Sequence, residues 1–321
     1  SALKAYYPSV VKVSDNDYRM WYDSAVSSGI YNVGYATSSD GINWTVIQDP
    51  VNGLTNANHN VVVYDGGGFG GGDYTYKIWY FDRHATVPNG ANSIRYAESG
   101  DGITWVNDQA VFGGNMVTPG IDNVDAPSRT WGPGTVLYNP DATNAGGNPL
   151  DYSYVMYYDG YNGNTDDLAW DNTEALFLAY SADGINWNRY TRNPVLKGGS
   201  SGEWDNGGVG YPTVMKLSDG LYVMWYGGGV GTNNGIGFAT SPDGINWTKD
   251  KNNPIMHIDD GISWRNDRTY TPEVIKNGDV YKMWFSGKNG SGEYSIGYAT
   301  ADGPFPSIQS AIDAASSGDT I

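Results

Sequence analysis

The chain has 321 residues, with 35 acidic side chains against 18 basic ones and a formal net charge of −17. That charge repels polyanions, so nucleic acid and anionic membranes are not expected partners, and no apolar run of about eighteen residues offers a membrane span. Zero cysteines exclude disulfides and thiol chemistry, while 45 glycines beside 12 tryptophans and 26 tyrosines describe a turn-rich β protein.

Along the chain the first strand signal is Tyr7-Pro8-Ser9-Val10-Val11. A proline early in a strand is tolerated because its missing N–H need not serve a ladder. The aromatic run Arg19-Met20-Trp21-Tyr22 follows, then the small apolar segment Gly34-Tyr35-Ala36-Thr37, then the phrase Ser38-Ser39-Asp40-Gly41-Ile42-Asn43-Trp44. Bulky runs of the second kind read as central strands, and an Asp-Gly pair reads as a hairpin turn.

The same order then recurs. His59-Asn60-Val61-Val62, Lys77-Ile78-Trp79-Tyr80 and Arg95-Tyr96-Ala97-Glu98 lead to a second copy of the phrase at Ser99 to Trp105. Gly132-Pro133-Gly134-Thr135-Val136, Val155-Met156-Tyr157-Tyr158 and Leu178-Ala179-Tyr180 lead to a third at Ser181 to Trp187. Tyr211-Pro212-Thr213-Val214, Val223-Met224-Trp225-Tyr226 and Gly237-Phe238-Ala239-Thr240 lead to a fourth at Ser241 to Trp247. Thr271-Pro272-Glu273-Val274, Lys282-Met283-Trp284-Phe285 and Gly297-Tyr298-Ala299-Thr300 end on a worn copy, Asp302-Gly303.

The motif aspartates fall at 40, 101, 183, 243 and 302, so one unit of about 60 residues occurs five times. Units of four antiparallel strands repeated radially predict an all-β fold, a five-bladed β-propeller, rather than a linear solenoid of shorter units. The blades are expected at 6–50, 58–112, 131–196, 209–256 and 269–303. The last blade lacks a Trp after its Asp-Gly pair, so residues 304–309 or 1–5 are expected to cover its edge. Residues 304–321 depart from the repeat. Ile308, Ala311, Ile312 and Ala315 fall at helical spacing behind Ser307, as in a capping helix.

The conspicuous phrase reads as structural. In a propeller the turn between third and fourth strands lies opposite the end where the first strands begin. Ser and Asp are expected to tie down the turn backbone, with Trp44, Trp105, Trp187 and Trp247 wedged between blades. Chemistry is expected at the other end, around the starts of the channel strands. Tyr7, His59, Asn60, Arg129, Trp131, Trp204, Tyr211, Arg268 and Tyr270 are the candidate ligand-binding residues there, because aromatic faces stack on sugar C–H surfaces while polar groups meet hydroxyls. The other reading is that the tyrosines plug the channel and Arg268 pairs with Glu273.

These elements together resemble the five-bladed propellers of glycoside hydrolase families 43 and 32. The resemblance rests on x-Pro-x-Val-Val first strands, Met-Trp-Tyr second strands and Tyr-Ala-Thr-Ser-x-Asp-Gly-Ile-Asn-Trp hairpins, and covers residues 6 to 303. It implies a glycan as partner and carboxylates at first-strand starts. Family 43 places a base Asp directly before the first blade's proline, a modulating Asp directly after a later one and an acid Glu shortly before another. Here Tyr7, Gly134 and Gly210 stand in those positions, and Tyr6-Tyr7-Pro8-Ser9 lacks the family 32 nucleophile. Glu273, directly after Pro272, is the one carboxylate in a family-like context, with Asp125, Asp205 or Glu203 as a partner from a loop. Hydrolysis needs two carboxyl groups across the bond. The phrase itself resembles the sialidase Asp box but lacks the residue between Asp and Gly. The tail, from Ser307-Ile308-Gln309 to Gly318-Asp319-Thr320-Ile321, resembles the opening of right-handed parallel β-helix domains.

Other sites are weaker. His59, His84 and His257 have no zinc-ligand spacing. Asp166, Asp167 and Asp171 offer oxygen ligands for calcium, although the order is not that of an EF-hand and a solvated acidic loop has the same composition. Gly66-Gly67-Gly68 to Gly70-Gly71-Gly72 lacks the Lys and helix of a phosphate loop. No cofactor is required by any of these readings. The leading expectation is a monomeric, extracellular or cell-surface glycan-recognising propeller. A diverged glycoside hydrolase and a non-binding structural propeller are the alternatives.

Overall fold

The computed structural model describes residues 4–27, 30–82, 93–113, 129–161, 174–218 and 220–303. The first sheet holds β1 (Lys4–Ser14), β2 (Asp17–Ser27), β3 (Ile30–Ser38) and β4 (Thr45–Gln48), and the second β5 (Ala57–Tyr64), β6 (Tyr76–Asp82), β7 (Ser93–Ser99) and β8 (Val106–Gly113). The third holds β9 (Arg129–Tyr138), β10 (Tyr154–Tyr161), β11 (Glu174–Ser181) and β12 (Asn188–Arg189). The fourth has β13 (Val209–Ser218), β14 (Leu221–Gly228), β15 (Gly235–Ser241) and β16 (Thr248–Lys249), with β17 (Met256–His257) as an extra partner of β15. The fifth has β18 (Arg268–Asn277), β19 (Val280–Lys288) and β20 (Tyr294–Ala301). The first strand of each sheet touches the first strand of the next, and β18 touches β1, so the chain is a closed five-bladed β-propeller.

Each second strand carries the core. Trp21, Trp79, Trp225 and Trp284 are fully buried, and Tyr157 takes the corresponding place in the third blade. An aromatic ring buried here contributes on the order of 4 kcal/mol. The repeated phrase makes one turn four times. In the first copy the Ser38 hydroxyl accepts the Gly41 N–H at 2.9 Å and donates to Asp40 Oδ1 at 2.8 Å. Asp40 Oδ1 accepts the N–H groups of Ile42 and Asn43 at 2.7 and 2.8 Å. The glycine must be glycine: at Gly41, Gly102, Gly184 and Gly244 φ lies between 72° and 79°.

These turns join the blades. The indole N–H of Trp21 donates to Gly102 O at 2.8 Å, that of Trp79 to Gly184 O at 2.9 Å and that of Trp284 to Gly41 O at 2.8 Å, each reaching the turn of the next blade around the ring. The Tyr157 hydroxyl does the same for Gly244 O at 2.7 Å. The motif tryptophans then lean edge-on against those rings: Trp44 on Trp284, Trp105 on Trp21, Trp187 on Trp79 and Trp247 on Tyr157. Trp225 faces the fifth blade, whose turn has no motif tryptophan, and among the described residues no acceptor meets its indole N–H.

At the ring closure Lys4 and Ala5 pair with Ala25 and Ser24 inside the first sheet and lie against the fifth blade, Lys4 Nζ 5.8 Å from the Tyr294 ring and Ala5 in one cluster with Trp284 and Ile296, while residues 1–3 and 304–321 lie outside the described residues. Side chains also close the gap between last and first blades. Val10 N–H donates to Glu273 Oε1 at 3.2 Å, Tyr7 N–H to Ser286 Oγ at 2.9 Å, and Lys282 Nζ to Asp40 O at 2.8 Å. No described helix is long and apolar enough to cross a membrane.

The N–H to glycine bonds predict an ordered mutational series. Trp21→Phe and Trp284→Phe should each cost about 1 kcal/mol more than Trp225→Phe in denaturant unfolding, because each orphans a buried carbonyl, whereas Trp79→Phe should fall in between because Gly184 O still accepts the Trp187 indole N–H at 2.9 Å. Equal losses at all four positions would mean that ring volume alone sets the cost.

Candidate functional site

The register of the first blade pairs Tyr6 with Asp23 and Asp23 with Val33, while Ser38 pairs with Tyr18. The repeated turns therefore lie at the strand ends opposite Tyr7. At the Tyr7 end the channel strands share an irregularity. Their pairing slips between Tyr6 and Ser9, Asn58 and Val61, Gly210 and Thr213, and Tyr270 and Glu273. Within each slip one residue takes a left-handed backbone: Tyr7 at φ 51°, His59 at 50°, Tyr211 at 53° and Thr271 at 50°. Such a conformation costs about 1–3 kcal/mol for a residue with a Cβ, so the surroundings must hold it.

For Tyr7 and His59 what holds it is a polar side chain on the second strand of the preceding blade, whereas Gly227 stands at that position before Thr271. Ser286 accepts the Tyr7 N–H, as noted, and Asp23 Oδ2 accepts the His59 N–H at 2.9 Å while its Oδ1 accepts the Asn60 side-chain amide at 3.1 Å. Asp159 occupies the same place before the fourth blade, with the Tyr211 amide and the Glu174 carboxyl as its polar neighbours. No donor meets either Asp159 oxygen at good hydrogen-bond geometry, so the contact with Tyr211 is the weakest of the three. In the third blade the matching position is Gly132. A Cβ there would lie 2.9 Å from that of His59, which explains why this strand carries no ring at the corresponding place.

The rings presented by these bulges meet at the end of the channel. Tyr7 stacks on His59 with centroids 3.9 Å apart, and meets Tyr211 at 5.3 Å and Tyr270 at 5.5 Å. Tyr211 in turn lies 5.8 Å from Tyr270, and Tyr6 lies 5.1 Å from Tyr7. Tyr7 and Tyr211 are partly exposed, whereas Tyr270 and His59 are buried. Arg268 sits at the rim, hydrogen-bonded to Tyr270 and close to Tyr294 and Tyr7. Of the residues expected at the site, Tyr7, His59, Asn60, Tyr211, Arg268 and Tyr270 thus come together.

The others are placed differently. Trp204 stacks on Tyr226 at 5.9 Å and covers Gly228 and Gly237, where an added Cβ would come within 2.5 Å and 2.7 Å of the indole. Trp264 covers Gly287 and Gly297 of the fifth blade in the same way. Trp204 is therefore a packing residue of its own blade. Asp205 is buried, ion-paired with Lys249 at 2.6 Å, and accepts from Tyr226 at 3.3 Å, while Glu203 is exposed and accepts the Ser200 N–H. Glu273 is not paired with Arg268. It latches the fifth blade to the first through Val10 and also accepts from Thr213 Oγ1 at 3.2 Å. Asp125, Asp166, Asp167 and Asp171 lie outside the described residues, and Arg129 and Trp131 are described only as backbone of β9. Among the described residues no set of three His, Asp or Glu side chains gathers as metal ligands.

Sequence reasoning missed Asp23, Asp159 and Glu174. All are buried, and burial pushes each carboxyl upward. Asp159 rises to about 7, and Glu174 rises well above its usual value, by burial first and then by the neighbouring Asp159 charge. Thr232 Oγ1 donates to Glu174 at 2.9 Å. A signal existed for the aspartates: each follows an aromatic pair, Trp21-Tyr22 and Tyr157-Tyr158, at a position otherwise suited to an apolar side chain.

No family model matches the chain. Two curated proteins of Mycobacterium tuberculosis, the uncharacterized proteins Rv1502 (strain ATCC 25618 / H37Rv) and MT1551 (strain CDC 1551 / Oshkosh), are each 32% identical over 155 residues, 46% of this chain and 48% of theirs. The chain thus spans about half the length of the curated relatives it matches. Among solved structures, a BT0996–RGII complex superposes with TM-score 0.69 at 19% identity, covering 93% of this chain and 87% of that one. A thermostable family-43 glycoside hydrolase gives 0.63 at 14%, covering 93% and 90%. An N-acetylgalactosamine deacetylase from F. plautii in complex with blood group B trisaccharide gives 0.63 at 18%, covering 93% and 89%. At these identities the likeness shows a shared fold.

The raised carboxyls predict an unusual pH dependence. A carboxyl whose folded value lies above its unfolded one stabilises the fold fully in acid and loses that contribution as pH rises through the folded value. Glu273 is pushed up to about 8 and Asp159 to about 7, both by burial first. The turn aspartates act oppositely: hydrogen bonds outweigh partial burial to hold Asp243 down at about 2, so their support fades only in strong acid. Thermal stability should therefore peak near pH 5 and decline towards pH 8.5. Glu273→Gln, which keeps the acceptor for Val10, should flatten that decline by at least ~1 kcal/mol.

Proposed function

We propose that this chain is a carbohydrate-recognising propeller whose ligand binds at the channel end formed by Tyr7, His59, Asn60, Tyr211, Arg268 and Tyr270. The observation that carries this reading is the convergence of the partly exposed Tyr7 and Tyr211 rings, each set on a left-handed bulge, with Tyr270 and the neighbouring Arg268. Aromatic faces with a few polar groups suit a sugar's C–H surface and hydroxyls. The fold shared with carbohydrate-handling proteins supports the same ligand class. On this reading the protein is a monomeric glycan-binding unit of an extracellular or surface protein, and needs no cofactor.

Recognition is favoured over hydrolysis because, among the described residues, Glu273 and Asp23 are already engaged in holding the blades together. Glu273 is engaged by Val10 and Thr213, and Asp23 by His59 and Asn60. A glycosidase needs two carboxyl groups on opposite sides of the scissile bond. The diverged-hydrolase reading retains one point in its favour, the neighbouring buried carboxyls Asp159 and Glu174, whose raised values suit an acid.

A glycan array run beside a panel of chromogenic glycosides tests the proposal. Wild-type protein should bind a glycan without releasing chromophore, and Tyr211→Ala should weaken binding by about 1–2 kcal/mol. Tyr211→Phe, which preserves the packing, should fold normally and lose less. Turnover that disappears in Asp159→Asn would replace this reading with the hydrolase. Absence of both binding and turnover would leave a plugged structural propeller, consistent with the tight Tyr7–His59 stack.

A further inference from the structure

The rim of the channel end carries a charge opposite to that of the molecule. Lys4 Nζ lies 5.8 Å from the centroid of the Tyr294 ring and Lys288 Nζ lies 5.7 Å from it, while Arg268 is hydrogen-bonded to Tyr270 and faces Tyr294. Tyr294 is itself 4.9 Å from Tyr6, so this group is continuous with the aromatic cluster around Tyr7. Three cations around one ring are notable in a chain with only 18 Lys and Arg against 35 Asp and Glu.

Among the described residues the acids beside these cations are Asp267, Asp23 and Glu293, the last of which accepts the Asn289 side-chain amide at 2.7 Å. Asp267 pairs with Lys288 at 2.5 Å and neutralises that one cation. Asp23 lies beneath Tyr6, Tyr7 and Tyr270, but burial holds it towards the neutral form. No ion pair of Lys4 or Arg268 occurs among the described residues. Among the described residues two cations without an ion pair thus stand beside a partly exposed tyrosine surface, one of them a guanidinium able to take a carboxylate through two N–H groups.

We infer that the site selects an anionic sugar residue, with Arg268 and Lys4 receiving its carboxylate and the Tyr294 and Tyr7 rings receiving its C–H face. This deepens the glycan reading above and rests on it. The overall charge of −17 narrows the ligand further. A long polyanion would be repelled along its length, whereas one acidic residue ending an otherwise neutral glycan meets only the local positive field. A hexuronic acid at a chain end fits that description.

Titration calorimetry with matched oligosaccharide pairs tests it. The probes end in glucuronate or glucose, and in galacturonate or galactose, on the same neutral stem. The acidic member of at least one pair should bind at least about tenfold tighter, as a charged hydrogen bond would give. Arg268→Gln should erase that advantage, weakening the acidic member of the pair far more than its neutral partner. Lys4→Gln, at an exposed position, should reduce acidic binding roughly threefold without touching the fold. Equal binding of acid and neutral partners, or equal losses for both in Arg268→Gln and no change in Lys4→Gln, would overturn the inference while leaving glycan recognition intact. Binding of neither member in either pair would overturn both.

Discussion

Everything in this molecule depends on holding sheets side by side with no backbone hydrogen bonds between most of them. Each blade satisfies its own ladder internally, so adjacent blades meet through side chains. The recurrent solution is an aromatic donor on a second strand reaching the glycine carbonyl of the next blade's turn, seen at Trp21, Trp79, Tyr157 and Trp284. One atom pair therefore links the most buried residue of one blade to the most rigid turn of its neighbour. The turn can serve because Ser and Asp side chains have already fixed its backbone, leaving the glycine carbonyl free to face outward. Where the motif tryptophan is absent, at the fourth-to-fifth junction, the donor goes without a described partner.

The opposite end of the same strands uses a second lateral device. There a polar residue of one blade accepts the N–H of the next blade's bulge, and the bulge turns a ring into the channel. Ser286 and Asp23 act in this way for Tyr7 and His59. The arrangement links stability and function, since the groups that stabilise the bulges are those that present the rings. It also accounts for buried carboxyls that would otherwise suggest catalysis. A carboxyl kept from water and given one or two donors is raised in pKa whether or not it does chemistry, so its elevation alone does not mark an acid catalyst. Charge separates the two ends further: the channel end gathers Lys4, Arg268 and Lys288 around Tyr294, whereas the repeated aspartates are confined to the turns.

Much of this was legible in the amino-acid order. The repeat of Ser-x-Asp-Gly-Ile-(Asn/Thr)-Trp, with its strand signals, determined blade number, strand order and the structural role of the turns, because period-two strands and Asp-Gly hairpins are local chemistry. It also brought Tyr7, His59 and Tyr211, at equivalent positions of a radial array, into one candidate site with Tyr270, which stands one residue earlier in its strand. Tertiary structure alone decided which partners those residues meet. Trp204 looks as aromatic as Tyr211, yet it stacks beside Tyr226 over Gly228 and Gly237. Glu273 stands where a catalytic carboxylate is sought, yet its oxygen is taken by Val10, 263 positions away. Asp159 and Glu174 come from separate strands and show no motif between them. Burial, pairing and raised carboxyl pKa are properties of neighbours distant in the chain, and a one-dimensional pattern records a residue's type and spacing but not what closes over it.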